Sequence, residues 1–342
     1  MEDLNNLKTQ HGGVKVYINK LRERMFFIDT GIKELSTPFF FPAISTVKTN
    51  FGVLEYLSII EKTSYPGFLI SSYDIFHLSK KDRQNILKKV SEITNRKIVT
   101  LLDNGNYEAY WYHDADWDFD KFRSVLTNIT VDFSFSFDVF WEDCKDKEEY
   151  IQESISSIAK TAGNQKLGTT IPLIHSVPKV FPEVVRDIVD GINPEIIAVP
   201  ERELGVSIFE RVKTVKSIRQ SLDDTGRNIP LHLLGTGNPI SILVYTYYGA
   251  DLYDGLEWCQ TLINPKTMIL SHFSHGDFIE CTCDACKAQN LPYHVRILVH
   301  NLLFYKGFIE KIKESIKEDT YEKLLKKYLN ERVFNKMKDT VG

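Results

Sequence analysis

Hydrophobic positions along the chain fall into two kinds of segment that alternate. Short runs that are apolar nearly throughout occur at Phe39–Phe41, Gly67–Ile70, Ile98–Leu102, Phe133–Asp138, Thr170–His175, Ile196–Val199, Leu231–Leu234 and Leu252–Tyr253. Between them lie longer segments in which apolar residues recur every third or fourth position: Phe51–Leu57, Lys80–Thr94, Asp118–Thr127, Lys147–Ala162, Phe181–Asp190, Ser207–Ser221 and Pro239–Tyr248. The first kind reads as strands buried on both faces and the second as helices packed by one face. Eight such strands with helices between them, and no Pro/Ser-rich linker or short repeat, predict an α/β chain folded as a closed (β/α)8 TIM-like barrel rather than an open sheet. A single domain over residues 1–342 is expected, with a metal-binding subregion at 276–313 and Lys-rich helices over 301–342.

In such a barrel the site lies at the C-terminal ends of the strands. Those ends supply Ser71, Ser72 and Tyr73, then Asp103, Asn104 and Tyr107, then Asp138, His175, Glu201 with Arg202, Gly235 to Gly237, and Asp254. Any one aspartate at the end of an apolar run is an ordinary turn residue. Asp103, Asp138 and Asp254 arriving in the same register point to one polar cavity.

Composition narrows the class. No apolar run approaches the roughly 20 residues that span a bilayer, and the opening MEDLNNLKTQHGG has no apolar core of a secretory signal. A cytoplasmic protein is expected. The formal charge of −4 does not suggest binding to nucleic acid by bulk charge. Basic residues cluster locally, at Lys80, Lys81, Arg83, Lys88, Lys89, Arg96 and Lys97 and again beyond Asn301. Such clusters are ordinarily solvated helix faces.

Three of the five cysteines, Cys281, Cys283 and Cys286, are spaced C-x-C-x2-C. Thiolates at this spacing can occupy three corners of a tetrahedron, and zinc then takes a fourth sulfur or an imidazole. No cysteine follows, so His294 and His300 are the candidates. His300 opens the apolar, helix-like run HNLLFYKGFIEKI and is preferred. Three cysteines and a histidine make a closed ligand set, so the zinc is expected to be structural, pinning the C-terminal helices to the barrel. Cys144 reads as a loop or buried thiol.

Taken together, these segments resemble the tRNA-guanine transglycosylase superfamily, over roughly Thr37 to Lys313. TPFFFPAIS resembles its opening strand, LLDNGNYE its Asp, glycine turn and aromatic residue, and FSFDVF its guanine-reading segment. LLGTGNPISILVYTYYGADLYDG resembles its glycine turn, helix and nucleophile strand, and CTCDAC with HNLLFY its zinc site. The resemblance implies Asp254 as the nucleophile that forms a covalent glycosyl intermediate and Asp103 as the second catalytic aspartate. It implies Tyr107 as the ring that stacks on the base and Asp138 as the carboxylate that reads the guanine edge. His175 falls where the family usually has a glutamine that contacts the base, and Ser71–Tyr73 align with another pocket strand end.

The chain departs from the tRNA enzymes in four places. Cys286 to His300 is short; VPEREL, with Glu201 and Arg202, replaces a Gly-Gly-Leu turn; GLEWCQ replaces a Pro-Thr-Arg segment; and Asn104–Gly105–Asn106 replaces Ser-Gly-Gly. These changes cluster at the base pocket and the polynucleotide face, and PERELG resembles a divergent branch that exchanges guanine for a 7-deazaguanine base in DNA beside partner proteins. The sequence reading is therefore a DNA-guanine transglycosylase, with a tRNA enzyme as the alternative. A non-catalytic partner subunit is a second alternative, against which stand both Asp103 and Asp254.

Overall fold

The computed structural model describes residues 15–18, 25–31, 33–288 and 290–341; the N-terminal MEDLNNLKTQHGG stretch and what was expected of it lie outside them. Eight parallel strands form the core: β1 (Phe39–Ile44), β2 (Gly67–Ser71), β3 (Val99–Asp103), β4 (Phe133–Phe135), β5 (Thr169–Ile171), β6 (Ile197–Pro200), β7 (Leu231–Leu234) and β8 (Leu252–Gly255). Their order is β5-β4-β3-β2-β1-β8-β7-β6. The two ends meet just beyond β5, where Leu173 bridges Ala198 in parallel. There Ala198 N–H donates to the Pro172 carbonyl at 2.8 Å and Ile174 N–H to the Ala198 carbonyl at 2.9 Å. The expected barrel is present, each strand at its predicted place.

Local sequence accounts for the outer helices. Phe181–Ile192 buries Phe181, Val184, Val185, Ile188 and Val189, one continuous stripe, and Asn193 ends it in the left-handed region at φ 51°. Ile208–Asp223 begins with a reciprocal cap in which Ser207 accepts from Glu210 N–H while the Glu210 carboxylate accepts from Ser207 N–H. The first barrel helix runs Val53–Thr63, later and longer than Phe51–Leu57.

Two features were not anticipated. An antiparallel sheet of Lys15–Ile18, Phe26–Asp29 and Glu34–Ser36 precedes β1. It is tied to the N-terminal end of the barrel through Lys33, whose Nζ lies 2.5 Å from Asp132 Oδ2 and 2.6 Å from the Ile98 carbonyl. At the other end of the chain, a 25-residue helix, Tyr293–Lys317, starts two turns before His300, so His300 lies inside the helix rather than at its start. Among the described residues no helix is long and apolar enough to cross a membrane.

Candidate active site and cysteine cluster

The C-terminal ends of the strands surround a cavity of about 570 Å3 lined by Asp103, Tyr107, Asp138, His175, Glu201, Arg202 and Asp254, among others. Seven of the eight candidate pocket residues thus come together. Ser72 does not; it is fully buried at the start of the helix Ser72–His77 and is absent from the cavity wall.

Asp254 leaves β8 pointing into this space. Its Oδ1 accepts from His232 Nε2 at 2.7 Å and its Oδ2 from Gly235 N–H at 3.4 Å. His232 belongs to β7 and is fully buried, its ring stacked on Phe41 at 5.9 Å and edge-on to Phe135 at 5.2 Å. Rings from β1, β4 and β7 meeting in this way fill the barrel interior, so the Asp254 carboxylate rests on a packed histidine. Asp251 is placed quite differently. It faces the opposite end, where Arg219 pairs with it at 2.7 Å and Leu231 N–H donates to it at 2.8 Å.

Asp103 ends β3. Its Oδ2 accepts from Gly105 N–H at 2.8 Å, within a turn that requires φ +88° at Gly105. A Cβ there would also come within 2.8 Å of Tyr73 and Trp117. Burial, with Glu108 nearby, pushes the Asp103 carboxyl well above the usual carboxylate range, against the pull of that N–H; Asp138 and Asp254 push the same way. Burial and the neighbouring Asp74 raise Glu108 to about 7, and burial raises Asp74 to about 6. Asp74 accepts from both the backbone N–H and the hydroxyl of Thr46. The cavity thereby sets Asp103, whose affinity for a proton is raised by burial, beside Asp254, held by two donors, a division that suits acid–base work next to nucleophilic attack.

Opposite stands the polar set of the β4–β6 ends. Asp138 Oδ1 accepts from Asn104 Nδ2 at 2.6 Å and lies 3.3 Å from His175 Nε2. His175 Nδ1 contacts Glu203 Oε1 at 2.8 Å. Burial alone would lower the His175 pKa; the charges and hydrogen bonds of Asp138 and Glu203 outweigh it and raise it to about 10. Glu201 is held by Arg211 at 2.5 Å and by the Tyr245 hydroxyl at 2.7 Å, while Arg202 extends outward. Sequence reasoning missed His232, Glu203 and Glu257. Glu257 lines the cavity from the start of the short helix Glu257–Gln260 after β8, accepts from Gly237 N–H at 3.3 Å, and is raised by burial to about 7.

Of the tryptophans on this side of the barrel, Trp117 is buried with its Nε1 donating to the Asn104 carbonyl, and Trp141 packs on Tyr150. Trp111 is exposed.

Cys281, Cys283, Cys286 and His300 bring one ligand atom each within 4.8 Å of one another. His300 Nδ1 lies 3.5 and 3.4 Å from the Sγ atoms of Cys283 and Cys286, while Nε2 donates to the Ile263 carbonyl at 2.9 Å. That carbonyl fixes the tautomer and leaves the Nδ1 lone pair facing the sulfurs, the arrangement a tetrahedral cation needs. His294 instead packs against Phe273 and Phe51 and is not in the cluster; His272, His275 and Cys144 are likewise outside it.

Residues 204–333 match the family model Queuine tRNA-ribosyltransferase. The matched span includes His232, Asp254 and the Cys3His cluster, whereas Asp103, Asp138 and His175 precede it. The chain is 22% identical over 329 residues to the tRNA-guanine(15) transglycosylase of Sulfolobus acidocaldarius, covering 90% of this chain and 64% of that protein. It is 21% identical over 307 residues to the protein of the same name from Nanoarchaeum equitans, covering 84% and 70%. A Queuine tRNA-ribosyltransferase from Aquifex aeolicus is 28% identical over 131 residues, covering 32% and 34%. The chain thus spans less than two-thirds of the length of the first of these relatives.

Proposed function

We propose that the protein is a pentosyltransferase that exchanges guanine in a nucleic acid for a free purine-like base of the 7-deazaguanine class. The observation that carries this reading is the convergence, in one cavity, of Asp254, held by His232 and Gly235, with Asp103, whose carboxyl burial pushes upward. An Asp254 carboxylate oxygen forms a bond to the anomeric carbon as the bond from that carbon to guanine N9 breaks. The electron pair leaves with guanine, which takes a proton from Asp103. The incoming base gives its proton to Asp103, its nitrogen attacks the same carbon, and the Asp254 carboxylate is released. Two inversions give retention. Asp138 would accept from guanine N1–H and the N2 amino group, with His175 and Asn104 holding it, and Tyr107 would offer a face to the extruded base. Glu201 and Arg202 stand at the edge of the same pocket.

The curated relatives carry tRNA in their names, so tRNA is the nucleic acid favoured here. DNA, the first expectation from the sequence, remains the second reading on the PERELG segment that follows β6. The cysteine cluster fits zinc held by Cys281, Cys283, Cys286 and His300. A closed set of four protein donors leaves no position for water, so the ion would stabilise the fold and take no part in the exchange.

The test is incorporation of a labelled 7-deazaguanine base into tRNA and, separately, into guanine-containing DNA, by the wild type and Asp254→Asn. Label in tRNA that is lost in the variant is the expected result. Label in DNA alone would reverse the choice of nucleic acid, and label retained by Asp254→Asn would remove Asp254 as nucleophile. No label in either would sink the enzyme reading and favour a non-catalytic subunit.

A further inference from the structure

Among the described residues, every exposed large hydrophobic side chain that is aromatic lies on one short helix, Asn106–Tyr112. Tyr107, Tyr110, Trp111 and Tyr112 are 42%, 67%, 41% and 48% exposed. The inner side of the helix is anchored, with Glu108 and Ala109 buried. Tyr112 is also held: its ring stacks on Tyr73 at 5.8 Å and its hydroxyl lies 3.1 Å from Thr46 Oγ1. Tyr110 and Trp111 meet edge to face at 5.8 Å and 81°, and Trp111 also meets Tyr107 at 6.3 Å and 66°, so that Tyr110 is the more open of the two. The patch is continuous with the cavity, since Tyr107 and Tyr110 both line it. Above the Trp111 ring, 3.7 Å from its centroid, sits Lys48 Nζ.

We propose that Tyr110 and Trp111, with Lys48, form a stacking platform for the nucleotide next in the strand to the guanosine drawn into the cavity. This rests on the proposed function. A guanosine that leaves its stack to reach Asp254 strips its neighbours of a stacking partner. Exposed rings at the mouth replace that partner whatever the neighbouring base, because every base has a π-face, and a cation beside the rings suits the phosphate between the two nucleotides. A protein partner would be expected to draw on aliphatic surface as well, and the exposed aliphatic residues Leu54, Leu167, Val177, Val206 and Ile269 are not on this helix.

The test uses the full chain carrying Asp254→Asn, so that bound strands are not turned over. The probes are a stem–loop RNA with one unpaired guanine and its DNA counterpart, each made with a normal nucleotide or an abasic site on either side of that guanine. On the RNA or the DNA, removing one neighbouring base should weaken binding roughly tenfold to a hundredfold. Adding Trp111→Ala should itself weaken binding, and should reduce the abasic penalty to under about twofold, while Trp111→Phe should restore most of it. Tyr110→Ala is expected to act in the same direction. An abasic penalty unchanged by both alanine variants, or no binding of either probe, overturns the platform. Wild-type base exchange on the same strands separates the two ideas. Exchange without coupling to Trp111 rejects the platform alone, whereas coupling without exchange rejects the enzymatic reading and keeps the nucleotide surface.

Discussion

His175 faces a carboxylate from each ring nitrogen, Asp138 on one side and Glu203 on the other, with Arg202 3.9 Å beyond Glu203. Its pKa in the folded protein is about 10 against 6.5 for the free side chain. The folded state therefore keeps a proton that the unfolded chain gives up, and the sign follows. The stabilisation is fully present below about pH 6.5 and is lost as pH rises towards 10. Denaturant unfolding of wild type and His175→Gln at pH 6, 8 and 10 should show the largest stability gap at pH 6, shrinking with each step; a constant gap would mean that folding does not shift the His175 pKa. At this scale the sequence was legible wherever a polar residue closed an apolar run, as Asp103, Asp138 and Asp254 do. His232 sits inside such a run, LHLL, where alternation turns it into the barrel. Its signal, a lone ionisable residue in a buried strand, was present but unread. Glu203 and Glu257 lie in one-turn helices after β6 and β8, where a glutamate is ordinary, and only the fold brings Glu203 against His175 and Glu257 to the cavity.

The element whose limits were misjudged is the helix Tyr293–Lys317, and the cause is physical. His300 and Asn301 interrupt its apolar face, yet both are buried, because their partners lie off the helix. His300 joins the cysteines, and Asn301 bonds the Trp258 and Thr261 carbonyls at 2.8 and 2.7 Å and the Ile263 N–H at 3.2 Å. The same helix carries Tyr305, whose hydroxyl donates to the Gly237 carbonyl at 2.5 Å in the loop beside Asp254. Loss of the metal should therefore reach the cavity. Cys283→Ser, or chelation, is expected to remove about one zinc per chain, to lower the melting temperature by at least about 5 °C, and to reduce exchange. Metal analysis with a melting curve checks this; unchanged metal content in the variant would exclude the cluster as the binding site.

Across the whole molecule, a buried ion pair and the polar cavity lie at opposite ends of one barrel. The N-terminal sheet closes the end away from the cavity, and Lys33 and Asp132 form an ion pair there with side chains 1% and 8% exposed. Asp132 also accepts from Thr100 N–H at 2.7 Å. Lys33→Met leaves this carboxylate buried without its cation and should cost about 3–5 kcal/mol, read by urea denaturation, with exchange by the folded fraction unchanged. Altered exchange would show that the two ends are coupled. The barrel was legible because eight apolar runs recur with helices between them, whereas the N-terminal sheet is short and lacks a continuous apolar run. The strand order has a further consequence. Asp103 and Asp254 are carried by β3 and β8, with β2 and β1 between them, strands of five and six residues paired in continuous register. Asp138, His175 and Glu201 follow β4, β5 and β6, two of them only three residues long and joined at the seam by the Leu173–Ala198 bridge. Under the proposed function, bond making would belong to one arc of the barrel and base choice to the other, so a lineage could rewrite which base it accepts without disturbing the carboxylates that cut and rejoin the sugar.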